Sequence, residues 1–113
     1  MNKEVVRGSI DLLILSSVKR KDRYGYEIVQ YLRKVSEGVF EMKEGTLYPA
    51  LKRLEKKEWV RSYWTDGDFG RRKYYSLTGK GKTALEERHE EWTRLNDMVV
   101  KMIEESGSVI HEK

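Results

Sequence analysis

The segment EGTLYPALKRLEKKEWVRSYWTDGDFGRRKYYSLT, residues 44–78, decides the fold. Leu47, Leu51 and Leu54 recur at i, i+4 and i+7, the inward stripe of a helix over residues 44–58. Pro49 is the single proline of the chain. Proline fits a helix's first turn and not its interior, so it places the first turn close to Thr46. Two runs rich in aromatic and β-forming residues follow, WVRSYW (59–64) and RKYYSLT (72–78), joined by TDGDFG. Two glycines and two aspartates there predict a hairpin with a loop longer than the minimal two residues. Tyr74 and Tyr75 point to opposite faces of the return strand, so one of them packs inward.

Upstream, Val5, Val6, Ile10, Leu12, Leu13, Ile14, Leu15 and Val18 form a helix-length apolar segment that ends at Lys19–Arg20–Lys21. Asp22–Arg23 makes a short connection. YGYEIVQYLRKVSEG (24–38) predicts a second helix with Tyr24, Ile28, Tyr31, Leu32 and Val35 on one face and Gly38 closing it. Val39, Phe40 and Met42 alternate with polar residues and predict at most a short strand. Downstream, Thr78 caps a long helix from about Gly79 to Glu105, aided by early acids at Glu86 and Glu87. The tail SGSVIHEK (106–113) is expected to fray. The chain is therefore read as mainly α with a small β-hairpin. Residues 1–78 form a winged helix-turn-helix domain, and residues 79–113 a C-terminal dimerisation helix with a frayed tail.

At 113 residues the chain is one small domain, and 38% apolar content against 37% charged is lean for a self-sufficient core. The absence of cysteine excludes a disulfide framework and thiolate metal ligation. The N-terminal apolar run is interrupted by Arg7 and Asp11 and is too short to span a bilayer, so no membrane role and a cytoplasmic setting are expected. Net charge is +4, unevenly placed: +2 over residues 1–42, +6 over 43–82 and −4 over 83–113. A basic middle attracts a polyanion, and an acidic C-terminal third does something else.

In a winged helix the third helix enters the DNA major groove and the hairpin lies against the neighbouring backbone. The outward face of that helix holds Thr46, Tyr48, Pro49, Lys52, Arg53 and Lys56. Hydroxyls near a helix start can bond phosphates or base edges, and arginine can pair bidentately with guanine. Arg71, Arg72 and Lys73 sit where the wing meets its return strand, at the height of the phosphates. Blander readings exist for each piece alone: KRLEKK as a solvated face, RRK as protection of an edge strand. Their conjunction on the two elements a winged helix presents to DNA favours the nucleic-acid reading.

On the last helix, Leu85, Trp92, Leu95, Val99 and Met102 follow at spacings of seven, three, four and three, an approximate heptad seam. A second copy of the chain would cover it and place two reading heads on one duplex. Trp92 reads either as an interface core residue or as an aromatic slab lining a pocket between subunits.

Several stretches in this order carry a resemblance: Tyr24–Gly25–Tyr26–Glu27–Ile28, then Glu44–Gly45–Thr46–Leu47–Tyr48–Pro49–Ala50–Leu51 with Leu54–Glu55. Gly70–Arg71–Arg72–Lys73–Tyr74–Tyr75 with Leu77–Thr78 completes it. Together they resemble the PadR family of bacterial transcriptional regulators over nearly the whole chain. The resemblance implies a dimeric winged helix that binds operator DNA, usually as a repressor released by a small molecule or another signal. It adds Tyr24 to the DNA-binding set. The single C-terminal helix is similar to the branch with multidrug-responsive repressors, in which a tryptophan at the position of Trp92 flanks a central pore. The carboxylate that helps cationic drugs there would fall at Asn96, with Asp97 about 100° away. A planar hydrophobic or cationic ligand at Trp92 and Asn96 is what that resemblance implies, with the drug preference not carried over.

No enzyme, cofactor or metal is expected. There is no glycine-rich phosphate loop, and the two histidines, His89 and His111, lie on the last helix and the tail. The rival reading is a winged-helix module that binds protein and dimerises through the same seam. Salt separates the two: a duplex binder that neutralises several phosphates loses affinity by orders of magnitude between about 50 and 200 mM salt, and a protein-binding module does not. Titration of a labelled duplex at both salts is the check.

Overall fold

The structure is a computed structural model that describes residues 9–111, with side chains described as far as Glu105. Its elements are α1 (Ile10–Ser17), β1 (Arg23–Tyr24), α2 (Gly25–Val35), α3 (Glu44–Lys56), β2 (Val60–Gly67), β3 (Gly70–Leu77) and α4 (Gly79–His111). The three strands form one antiparallel sheet in the order β1-β3-β2. This is a winged helix, helical with a small sheet and a long last helix. Val5 and Val6, expected to open the first helix, lie outside the described residues.

The leucine stripe of α3 closes the core: Leu47, Leu51 and Leu54 are fully buried, with Ala50 beside them. Against them pack Ile10, Ile14, Leu15 and Val18 from α1 and its end, Ile28 and Leu32 from α2, and Val60 and Tyr75 from the sheet. Of the apolar face expected on α2, Val35, the last residue of the helix, is exposed. The helix closes as expected at Gly38, whose N–H donates to the Arg33 carbonyl at 2.8 Å, with Glu37 and Gly38 both at positive φ.

The first turn of the third helix does include Thr46 as expected, but Pro49 lies beyond it. α3 starts at Glu44 and carries Pro49 inside it. The bond that proline forfeits belongs to the Gly45 carbonyl on an exposed turn, where solvent can replace it. Residues 39–42 form no strand, although Met42 is buried. The third strand is instead β1, made of Arg23, read as part of a connection, and Tyr24, read as the start of the second helix: Arg23 pairs with Tyr75 and Tyr24 with Tyr74. The hairpin loop is the minimal one, since Gly67 pairs with Gly70 and leaves only Asp68 and Phe69 unpaired. Both loop glycines are absorbed into the ladder, and Gly70, directly after the two unpaired residues, takes a positive φ (100°) that glycine adopts without strain.

Thr78 caps α4 as expected: its Oγ1 accepts the Gly81 N–H at 2.9 Å. The same hydroxyl donates to the Glu58 carbonyl at 2.6 Å, tying the helix start to the link between α3 and β2. The first turn of α4 contains no acid, so Glu86 and Glu87 lie too far along to meet the positive helix end. Ala84 and Leu85 are buried in the domain core. Beyond them α4 projects. The radius of gyration is 17.5 Å, where a compact chain of this length would have about 13 Å. The helix continues to His111, past the end expected near Glu105. No helix among the described residues is long and apolar enough to cross a membrane.

The elbow into α4 depends on Gly81, where an added Cβ would sit 1.9 Å from the Trp59 carbonyl oxygen. Backbone cannot yield as a side-chain tip can, so Gly81→Ala is expected to cost about 1–3 kcal/mol and lower Tm by several degrees. Gly79→Ala, which meets nothing within 4 Å, should leave Tm unchanged or raise it. Thermal denaturation of both variants checks this.

Candidate nucleic-acid interface

The three motifs of the sequence meet at one place. α2 starts at Gly25, and an added Cβ there would lie 2.5 Å from the Tyr48 hydroxyl. The glycine is what lets Tyr48 of α3 lie against the start of α2. Next to it, the Tyr24 backbone N–H donates to Glu27 Oε1 at 3.3 Å. The Tyr24 ring stands edge-on to Tyr74 with centroids 5.4 Å apart, and the Arg72 guanidinium lies 4.6 Å from its centre. Tyr24, Tyr48 and Arg72, predicted from three separate stretches, are thus held together by packing.

Thr46, Tyr48, Pro49 and Lys52 are exposed on α3. No side chain caps the N-terminus of that helix, and the N–H groups of Thr46 and Leu47 both donate to the Lys43 carbonyl, at 3.0 and 2.9 Å. Arg53 turns aside. Its guanidinium donates to Asp11 on α1, whose carboxylate is also 4.0 Å from Arg88 of α4. Arg53 therefore stands at a junction of three helices as well as on the outward face.

The three wing cations do not act as one cluster. Alternation along β3 puts Arg71 and Lys73 on the face that carries buried Tyr75, and Arg72 on the opposite face with Tyr74. Trp64 of β2 pairs with Lys73 and backs both cations, with Arg71 at 4.6 Å and Lys73 at 5.9 Å from its ring. Lys73 is further drawn to Glu55 of α3 at 4.0 Å. Arg72 stacks on Tyr24 and approaches Phe69 at 5.5 Å. Sequence reasoning missed Trp64 and Asp11. The cross-strand register would have revealed Trp64, once the loop length was known; nothing local marks Asp11.

Two phenols are shifted. Tyr63 donates to Asp22 Oδ2 at 2.5 Å, and that bond, ahead of any other cause, raises its pKa. Tyr75 is raised chiefly by burial, then by Glu55 and Tyr48.

The first residue of the seam expected on α4 is covered within the chain itself. Leu85 belongs to the chain's own core, at 6% exposure. The first turns of α4 lie against α1. Trp92, Leu95, Val99 and Met102 are exposed as a seam requires, joined by Met98, Val100 and Ile103. Asn96 is exposed one turn after Trp92.

Known proteins share the fold. Residues 14–87 match the model of the transcriptional regulator PadR-like family. A transcriptional regulator from Clostridium thermocellum superposes with a TM-score of 0.81 at 36% identity, over 88% of this chain and 97% of that one. A PadR family transcription regulator from Clostridium difficile R20291 gives 0.76 at 43% identity, over 85% and 99%. An uncharacterised protein of Lysinibacillus sphaericus is 42% identical over 85% of this chain and 89% of its own length.

The contact between Gly25 and Tyr48 generates a test. In Gly25→Ala the obstructing atom is the far end of a side chain, so Tyr48 can swing away and the fold survives. Circular dichroism should be unchanged while duplex affinity falls about tenfold, the loss of one well-placed contact. Equal affinity would show that the position of Tyr48 is irrelevant to DNA.

Proposed function

The chain belongs to the PadR-like family of transcriptional regulators, and from that premise we propose that it works in the cytoplasm as a homodimeric repressor on operator DNA. The observation that carries the dimer is the exposed apolar face of α4. Trp92, Leu95, Met98, Val99 and Met102 are each 39% or more exposed on a helix face that the other described residues do not cover. Fully burying such side chains stabilises by about 1.5–3 kcal/mol each, and a second α4 supplies the matching surface.

The chain then divides into a reading head up to Thr78 and a dimerising arm from Gly79, with the first turns of the arm shared by both. In the head, Thr46, Tyr48, Pro49 and Lys52 approach the major groove. Arg53 is fixed by Asp11 at the edge of that surface. Tyr24, Arg71, Arg72 and Lys73 meet the sugar–phosphate backbone and position the head without reading bases. Operator release follows from a planar hydrophobic or cationic molecule that stacks on Trp92 between the two arms, beside Asn96. An aromatic face exposed within an otherwise aliphatic seam supports that assignment.

Selection of bound genomic fragments, repeated with a panel of planar cationic compounds, tests the whole reading. Enrichment of discrete fragments that a compound abolishes is expected; capture of no fragment would favour the protein-binding module. Trp92→Ala should abolish the response to the compound while sedimentation still finds dimers. Dissociation into monomers would instead make Trp92 a purely structural contact. Arg71→Ala combined with Arg72→Ala should weaken binding to all duplexes alike, and a change in sequence preference would make these residues base readers.

A further inference from the structure

Asp11 of α1 stands between two arginines. Its Oδ1 accepts a hydrogen bond from Arg53 Nη2 on α3, and its Oδ2 lies 4.0 Å from Arg88 Nη2 on α4. The Asp11 side chain is only 15% exposed, so solvent screens these attractions less than it would on an open surface. One negative charge thus serves two positive ones from different helices. Asparagine in its place would leave two cations facing each other with no counter-charge between them.

Arg88 also marks where the arm leaves the head. Its guanidinium lies 5.2 Å from the ring centre of Trp59, in the link between α3 and β2. One turn earlier Ala84 and Leu85 are buried. Beyond Arg88 every residue of α4 with a described side chain is exposed except Thr93, and the ion pair found there, Arg94 with Glu90 at 2.6 Å, stays within the helix. The elbow therefore has an apolar attachment at Ala84 and Leu85 and a charged one at Arg88. The first fixes where α4 meets the head; the second fixes its tilt against α3. From Arg88 to Met102 the helix runs about 21 Å at 1.5 Å per residue. A tilt of about 10° over that length moves its end by about 3.6 Å, close to one base-pair step of about 3.4 Å. We propose that Asp11 is a positioning residue that sets the half-site spacing the dimer accepts, by bracing α3 against the arm through Arg53 and Arg88. This rests on the paired-head reading above and adds what fixes the distance between the heads.

The test uses the full chain and an operator recovered from the genomic selection, with the spacer between its half-sites shortened or lengthened by one and two base pairs. Wild-type affinity should peak at one spacing and fall about tenfold for each base pair added or removed. Asp11→Asn should flatten that fall to about threefold or less, while a duplex with one half-site is still bound with the wild-type sequence preference. Arg88→Gln, at a side chain 41% exposed and so harmless to folding, should flatten the profile likewise. The combined variant should be no flatter than either alone, since both changes remove the same brace. Glu90→Gln removes a negative charge from α4 beyond the junction and should shift all affinities together without changing the shape.

If Asp11→Asn or Arg88→Gln keeps the wild-type profile, or Glu90→Gln flattens it equally, the brace is overturned. Loss of sequence preference at a single half-site in Asp11→Asn would also overturn it, since Asp11 would then act on reading by α3 and not on spacing. Should Asp11→Asn fail to fold, Arg88→Gln decides alone. A wild type that binds every spacing alike, or no duplex at all, would remove the paired-head reading itself, an outcome seen before any variant is made.

Discussion

Tyr75 is buried beside α3 with 6% of its surface exposed, and because side chains alternate along a strand, that burial fixes the face of every residue on the wing. Slipping β3 by one position would bring Tyr74 into the core, move Arg72 to the side of α3 and turn Arg71 and Lys73 outward. The pairing of β1 with β3 depends on the same register, since Tyr24 meets Arg72 only while it lies opposite Tyr74. One packed phenol thus couples the core to the charge pattern of the surface.

A second constraint acts at the other end of the sheet. Thr78 joins the start of α4 to the end of α3 through one hydroxyl that both accepts and donates, and Gly81 allows the helix to pass against the Trp59 backbone. The arm is therefore continuous with the reading head. Asp11, between Arg53 of α3 and Arg88 of α4, links the same two helices. Exposed ion pairs of this kind stabilise by about 1 kcal/mol at most, so the apolar elbow at Ala84 and Leu85 carries most of the connection and the charges orient it.

Much of this was legible in the sequence because its signals were periodic or local. The leucine stripe of α3 and the Thr78 cap are of that kind, and so is the inward tyrosine of β3. What the sequence hid was relational. Two residues at Arg23 and Tyr24 are too few for a strand signature and become one only through pairing with β3. The turn glycines read as loop because nothing local says that they continue the ladder. Leu85 fits a heptad spacing as well as its neighbours do, and spacing cannot tell which turns the chain's own core has already claimed. Arg71, Arg72 and Lys73 look like a single patch until the strand's two-residue period separates them.

The proposal is of a molecule whose two arms pair and whose two heads meet one duplex together. Hydroxyl-radical footprinting on a selected operator measures that directly. The account predicts two protected patches on one face of the helix, about 10 base pairs or a multiple apart, appearing together as protein is added. A single patch that saturates with one chain per duplex would contradict it.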